Sequence, residues 1–309
     1  MLVNAQEKRA QKEFSKSIDL EKSQIFFDAE DYLIYYKAAG LASAPLKKIQ
    51  SEDLSKDFLD QGEADSALRE VAKIYPEVLE VASQFKPIEG GLVHRIDTAT
   101  SGLLLLAKNQ KSYDFFIDIQ KKTSFLKSYT AFSEKSSQKD VKKSLEAGYP
   151  PLPGEYRLEE ARQLPEVQLP LKIASAFRNF GPRGASVRPL LIENAKDKKI
   201  YQMSVDALTH LGFAWKIEVS LSLAYRHQVR SHLHWLGYPI IADMRYGRES
   251  DSHRITETHK NPKKSQKPML FFASGLSFID PKTDKTVSYA LFEEDLIEFA
   301  RKECNSETR

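Results

Sequence analysis

The sequence predicts an α+β fold with a mixed or antiparallel sheet. Short β-rich or alternating segments recur at residues 25–40, 103–107, 127–132, 201–207 and 213–221. Between them lie stretches with apolar residues at helical spacing. The chain has 309 residues, enough to bury a sizeable core as one large or two ordinary domains.

Taken in order, residues 1–24 are polar and charge-mixed, an extension with at most a frayed helix and no assigned role. Residues 25–40 read as two strands joined at the acidic turn Asp28 to Asp31. From 64 to 85 apolar positions repeat helically: Leu68, Val71, Ala72, Tyr75, then Val78, Leu79, Ala82, Phe85. Pro76 divides this stretch into two core-covering helices.

The run Leu103-Leu104-Leu105-Leu106-Ala107 is short and bounded, which suits a buried strand. Small and hydroxylic residues precede it at 98–102, the composition of a tight connection. Asp97 is thereby expected on a loop beside a rigid central strand. Taken alone, an aspartate there caps a turn more often than it reacts.

Residues 110–122 predict an amphipathic helix with Tyr113, Phe116 and Ile117 inward, and KSYTAF, 127–132, a strand centred on Tyr129. The basic, serine-rich stretch 135–143 is expected to be a solvated loop, and so is the stretch 148–170 with its five prolines. Arg178, Arg183 and Arg188 bracket two glycines, in a solvated turn or an RNA-contacting loop. Val229, Leu233 and Leu236 line one face of a helix that Gly237 ends; His227, Arg230 and His234 line the adjacent face. A last helix is expected over 291–299.

Composition bounds the function. With 41% hydrophobic and 29% charged residues the chain is an ordinary globular protein. No apolar run reaches the ~20 residues of a membrane span, and the first residues lack a signal-peptide apolar region. Cys304 is the single cysteine, so no disulfide forms within the chain. These features predict the cytoplasm. A net charge of +3 permits RNA as a partner without arguing for it.

The string VHRIDTATSGLLLLAK resembles the signature HRLDxxTSGLLLxAK of the RluA-type pseudouridine synthases, with Ile96 for Leu. KSYTAF resembles that family's K-x-Y-x-A motif. Residues 222–247, SLAYRHQVRSHLHWLGYPIIADMRYG, resemble GRTHQIRxHLxxLGxPIxGDxxYG. The opening strand pair ends Tyr36-Lys37-Ala38-Ala39-Gly40 where the family commonly has NKPAG. Other departures are Ala224-Tyr225-Arg226 for Gly-Arg-Thr, Ala242 for Gly, and Phe272 where histidine is usual.

The resemblance covers roughly residues 25–280. It implies one catalytic domain over 25–309, with a long central sheet flanked by helices and loops. Many relatives carry an S4 domain ahead of it, for which 24 residues are too few. It further implies an isomerase that converts uridine to pseudouridine in ribosomal or transfer RNA, as a monomer, with no cofactor and no metal. Asp97 is the implied catalytic aspartate. Tyr129 would stack on the base and accept or relay the C5 proton, and Arg230 would pair with Asp97. His94, Arg95, Arg226, His227 and Gln228 are the implied RNA contacts. In particular, Arg95 would fill the space that a flipped base leaves; a salt-bridge brace is its other reading. Attack at C1′, attack at C6 and action as a base at the ribose all stay open to Asp97.

Two other classes are weighed against this one. A metal-dependent hydrolase finds little support, since His227, His232 and His234 form no i, i+4 ligand pair and HExxH is absent. A catalytically inactive RNA-binding relative would not need to keep Asp97, Tyr129 and Arg230 together. Walker A, GxGxxG and GxSxG strings are absent.

Overall fold

The computed structural model describes residues 12–45, 65–156, 169–247 and 267–306. In chain order these residues form β1 (Lys12–Lys16), β2 (Gln24–Asp28), β3 (Tyr32–Lys37), α1 (Ala67–Ala72), β4 (Ser101–Ala107) and α2 (Gln110–Lys121). Then come β5 (Leu126–Ser133), α3 (Gln138–Glu146), β6 (Leu171–Phe180), β7 (Ser186–Leu190), β8 (Tyr201–His210) and β9 (Trp215–Leu221). α4 (Gln228–Trp235), β10 (Phe271–Ile279), β11 (Thr286–Leu291) and α5 (Glu293–Asn305) complete them. The chain divides into two compact units, Met1–Lys127 with Ala273–Phe299, and Ser128–Phe272 with Ala300–Arg309.

In the first unit β2, β3, β4 and β10 are successive neighbours, and β11 joins β10. β1 pairs with β11 in parallel while the β2–β3 and β3–β4 pairs are antiparallel, so the sheet is mixed, as predicted. Every residue of β4 is buried, because helix α2 sets Tyr113, Phe116 and Ile117 inward. Fully burying each of Leu103 to Leu106 contributes roughly 2 kcal/mol. Tyr32, Phe116, Phe125 and Phe278 meet edge to face in the same core.

In the second unit β5, β9, β8, β6 and β7 follow one another. The β8–β9, β6–β8 and β6–β7 pairs are antiparallel. α4 buries Val229, Leu233 and, just past its end, Leu236, and Ser231 Oγ donates to Val187 O of β7 at 3.0 Å. Gly237 ends the helix at φ 81°, the left-handed position glycine adopts freely.

Three expectations need correction. The frayed N-terminal extension contains strand β1, because Phe14 packs on Phe26, Phe27 and Tyr289 while the ladder with β11 supplies the backbone bonds. The expected solvated loop at 135–143 contains most of helix α3. Its start is a capping box: Ser137 Oγ accepts from Asp140 N, and the Asp140 carboxylate accepts from Ser137 N. The helical stretch before Asp97 is shorter than its periodicity suggested. After α1 the chain makes only a tight turn at Pro76–Leu79, and Ala82 and Phe85 lie exposed. Of the proline-rich stretch, 157–168 lies outside the described residues.

Candidate active site

In the first unit the segment that carries Asp97 is a turn tied down by a series of hydrogen bonds. Gly91 allows the approach to β4: its N–H meets Val78 O at 2.7 Å and its O accepts from Ala107 N at 2.8 Å. A Cβ there would stand 2.1 Å from Ala107 O, so only glycine fits. Val93 N donates to Leu105 O. Ser43 Oγ binds both backbone groups of Ile96, donating to its O at 2.8 Å and accepting from its N at 3.2 Å. Thr100 N then donates to Asp97 O at 3.0 Å, closing the turn, and Gly40 N donates to Thr98 O at 2.8 Å. Asp97 stands half-buried at its head.

Beneath this turn lies Lys37, at the end of β3 and fully buried. Its Nζ donates to the carbonyls of Leu41 (2.7 Å), Ala38 (3.1 Å) and Thr98 (3.2 Å). Burial pushes its pKa down to about 7, and the negative charge of Asp97 works against that shift. Sequence reasoning gave Lys37 no role. The signal available was a lysine closing an otherwise apolar strand.

His94, expected at the RNA, is turned into the unit instead. Its Nε2 accepts from Leu105 N at 3.3 Å and its ring meets Phe125 edge to face. Burial, then the nearby Lys127 charge, lowers its pKa to about 3, so the ring is neutral. Arg95 is 55% exposed and pairs with buried Glu89 at 2.8 Å. Both of its expected roles are thus compatible with its position.

In the second unit Tyr129 is buried in β5, its ring stacked on Phe271 with centroids 5.3 Å apart. Phe272, at the family's histidine position, is buried with its edge on Phe132. His227 precedes α4 at φ 57°, with its Nδ1 3.0 Å from the Tyr246 hydroxyl. Gln228 is buried, and its Oε1 accepts from Tyr225 N at 2.9 Å, holding the turn into the helix instead of facing solvent RNA. Arg226 is exposed and donates from Nη2 to Gly184 O and Asn179 Oδ1.

The polar residues of α4 bond within the unit as well. His234 lies between Ser144 Oγ at 2.7 Å and Tyr246 O at 2.6 Å. His232 is buried against Ser175 Oγ at 2.8 Å, its pKa lowered to about 3 by burial. Arg230 is buried and donates to both oxygens of Asp243. Asp243 Oδ1 also accepts from the backbone of Arg245 and Tyr246. Burial raises the Asp243 pKa, but the Arg230 bonds and charge and these two N–H groups outweigh it, leaving the carboxyl below its ordinary value. The matched motif contained Asp243, yet nothing in the residues alone marked it as Arg230's anchor. Among the described residues no group of three or more His, Cys, Asp or Glu could hold a metal ion.

A family model described as RNA pseudouridylate synthase matches residues 31–235. An uncharacterized RNA pseudouridine synthase of Chloroflexus aurantiacus is 27% identical over 180 residues, covering 58% of this chain and 45% of the relative. Ribosomal large subunit pseudouridine synthase C of Buchnera aphidicola is 29% identical over 210 residues, covering 67% and 55%. The matches thus span about half the length of these two relatives. Among solved structures, human RNA pseudouridylate synthase domain containing 1 superposes with a TM-score of 0.53 at 16% identity, covering 89% of this chain and 85% of that one. That likeness is one of fold.

Proposed function

Because the chain belongs to the RNA pseudouridylate synthase family, we propose that it converts uridine to pseudouridine in ribosomal RNA, with Asp97, Tyr129 and Arg230 carrying the chemistry. The reaction breaks the bond from nitrogen 1 to C1′ and forms one from carbon 5 to C1′. The proton leaving carbon 5 is matched by one arriving at nitrogen 1, so the balance requires no co-reactant. It requires a carboxylate kept ionised, a proton acceptor at carbon 5 and a pocket for a flipped base. In this reading Asp97 is the reacting carboxylate, Tyr129 accepts or relays the proton, and Arg230 is the cation that favours ionised aspartate. Arg95 and His227 serve as RNA contacts. Action as a cytoplasmic monomer belongs to the same proposal.

The observation that supports it most is the turn at Asp97, whose backbone is bonded at Ile96, Asp97 and Thr98. A half-buried carboxylate on so constrained a loop is pre-positioned at little entropic cost on binding. The test is pseudouridine mapping on unmodified ribosomal and transfer RNA transcripts with wild type and Asp97→Asn. Wild type should modify ribosomal RNA and the nearly isosteric variant should not, while both bind it. Modification confined to transfer RNA would overturn the substrate, and turnover by the variant within a few-fold of wild type would overturn the role of Asp97.

A further inference from the structure

The β6–β7 hairpin carries arginines that meet no carboxylate among the described residues. Arg178 and Arg188 face each other across its ladder, and Arg183 sits at its tip. Arg178 Nη2 donates to Gly148 O at 2.7 Å. Arg188 donates to Ala147 O and Val187 O, and its guanidinium lies 4.3 Å over the Tyr149 ring and 4.5 Å over Phe180. Arg226 reaches in from the turn before α4, donating to Gly184 O at 2.5 Å and Asn179 Oδ1 at 3.4 Å. Arg183 is exposed and makes no hydrogen bond or ion pair among the described residues. None of the four meets a carboxylate among those residues, and Asp243 is occupied by Arg230.

The backbone at the tip is unusual as well. Arg183 is held at φ 53° between Gly181 at 75° and Gly184 at 64°, a region an arginine seldom occupies. Such a conformation persists where its surroundings impose it. The contacts that do so come from residues departing from the family motif. Tyr225 stacks on Phe177 of β6, centroids 4.9 Å apart and planes within 6°, and Arg226 bonds the two flanks of the tip.

We propose that the β6–β7 hairpin grips the phosphate backbone of the RNA substrate, Arg183 and Arg178 binding phosphate directly and Arg226 acting as a positioning residue that latches the tip. The proposal rests on RNA being the substrate. Guanidiniums on an ordered hairpin fit phosphate oxygens in charge and in donor geometry. Arg188, sandwiched between rings, is a support for the hairpin and not a contact.

The test measures the affinity of an unmodified large-subunit ribosomal RNA transcript at several salt concentrations. The proteins compared are wild type, Arg183→Ala, Arg226→Ala and the double variant. Arg183→Ala should weaken binding several-fold at low salt and flatten the log–log salt dependence by about 0.7–0.9, the release of about one counterion. Arg226→Ala should also weaken binding, yet add little in the Arg183→Ala background, because it acts through the tip. Wild-type affinity and salt slope in Arg183→Ala would overturn the grip; additive losses would overturn the latch. Binding is read without turnover. If wild type made no pseudouridine but lost affinity through Arg183, the catalytic reading would fall and the grip would stand.

Discussion

Arg230 meets Asp243 through two parallel hydrogen bonds of 2.7 Å, Nε to Oδ2 and Nη2 to Oδ1, with both side chains removed from solvent. A bidentate pair of this kind fixes the plane of the guanidinium as well as its position. The carboxylate is in turn fixed by the N–H groups of Arg245 and Tyr246. One aspartate therefore joins α4 to the turn that follows Ile240.

Asp243→Asn should lower stability by about 3 kcal/mol, read by urea denaturation. The amide removes the charge and turns a donor toward a guanidinium that needs an acceptor. Because the folded Asp243 carboxyl lies below its ordinary 3.8, its contribution is present above that pH and lost as pH falls through the folded value. The gap between wild type and variant should stay level from roughly pH 5 to 8 and shrink in stronger acid. A variant as stable as wild type would reduce the pair to a by-product of packing.

Ala242, one residue earlier, stands at φ 59° where the family motif has glycine. A Cβ in the left-handed region costs about 1–2 kcal/mol, and glycine's looser unfolded state returns about 0.4–1 of that. Ala242→Gly should stabilise the protein by roughly 0.5–1 kcal/mol in the same assay. A loss of stability would show that the methyl group's packing outweighs the strain.

Lys37 gives a pH dependence of the same sense as the Asp243 carboxylate, but in the neutral to alkaline range. Burial lowers its folded pKa to about 7 from an ordinary 10.5. Between those values the unfolded chain binds more protons than the folded one, so stability rises with pH. Compared with Lys37→Met, wild type should gain roughly 2–3 kcal/mol between pH 7 and 9, near the limit of ~1.4 kcal/mol per unit for one group. A flat difference would mean that the three carbonyls and Asp97 keep the ammonium charged throughout.

The sequence made the elements of the two units legible to different degrees. Strand β4 was visible because burial on both faces leaves an unbroken apolar run, and α2 because its inward face repeats at helical spacing. Strand β1 was not, since Phe14 is its only large apolar residue and the rest of its definition is a ladder with residues far along the chain. Helix α3 carried its capping box in plain view, but its basic, serine-rich composition resembles a loop. Motif resemblance singled out Asp97, Tyr129 and Arg230 as the candidates for the chemistry. It could not show that His94, His232 and Gln228 serve the interior, because a histidine's or amide's partners are settled by tertiary packing. Lys37 and Glu89 are the strongest cases: a buried charge is intelligible only once its partners are known.

Arg95 separates bracing from RNA contact. Its Nη1 donates to a Glu89 carboxylate that is only 3% exposed, while Arg95 itself is 55% exposed. Removing the guanidinium leaves a buried carboxylate without its counter-charge, and Arg95's own exposure discounts that loss to about 1–3 kcal/mol. Arg95→Ala should therefore lower the melting temperature, and Glu89→Gln in the same chain should restore part of it. A uridine in a stem must also leave its stack, at a cost of a few kcal/mol, and an exposed planar guanidinium can fill the vacated space. The informative comparison is turnover of Arg95→Ala against Arg95→Ala/Glu89→Gln on a stem-loop and on a short unstructured RNA. If Arg95 holds the flipped state, both variants should lose more on the stem-loop, where flipping costs more, even after stability is restored. Equal losses on the two RNAs that disappear with Glu89→Gln would mark Arg95 as a brace alone.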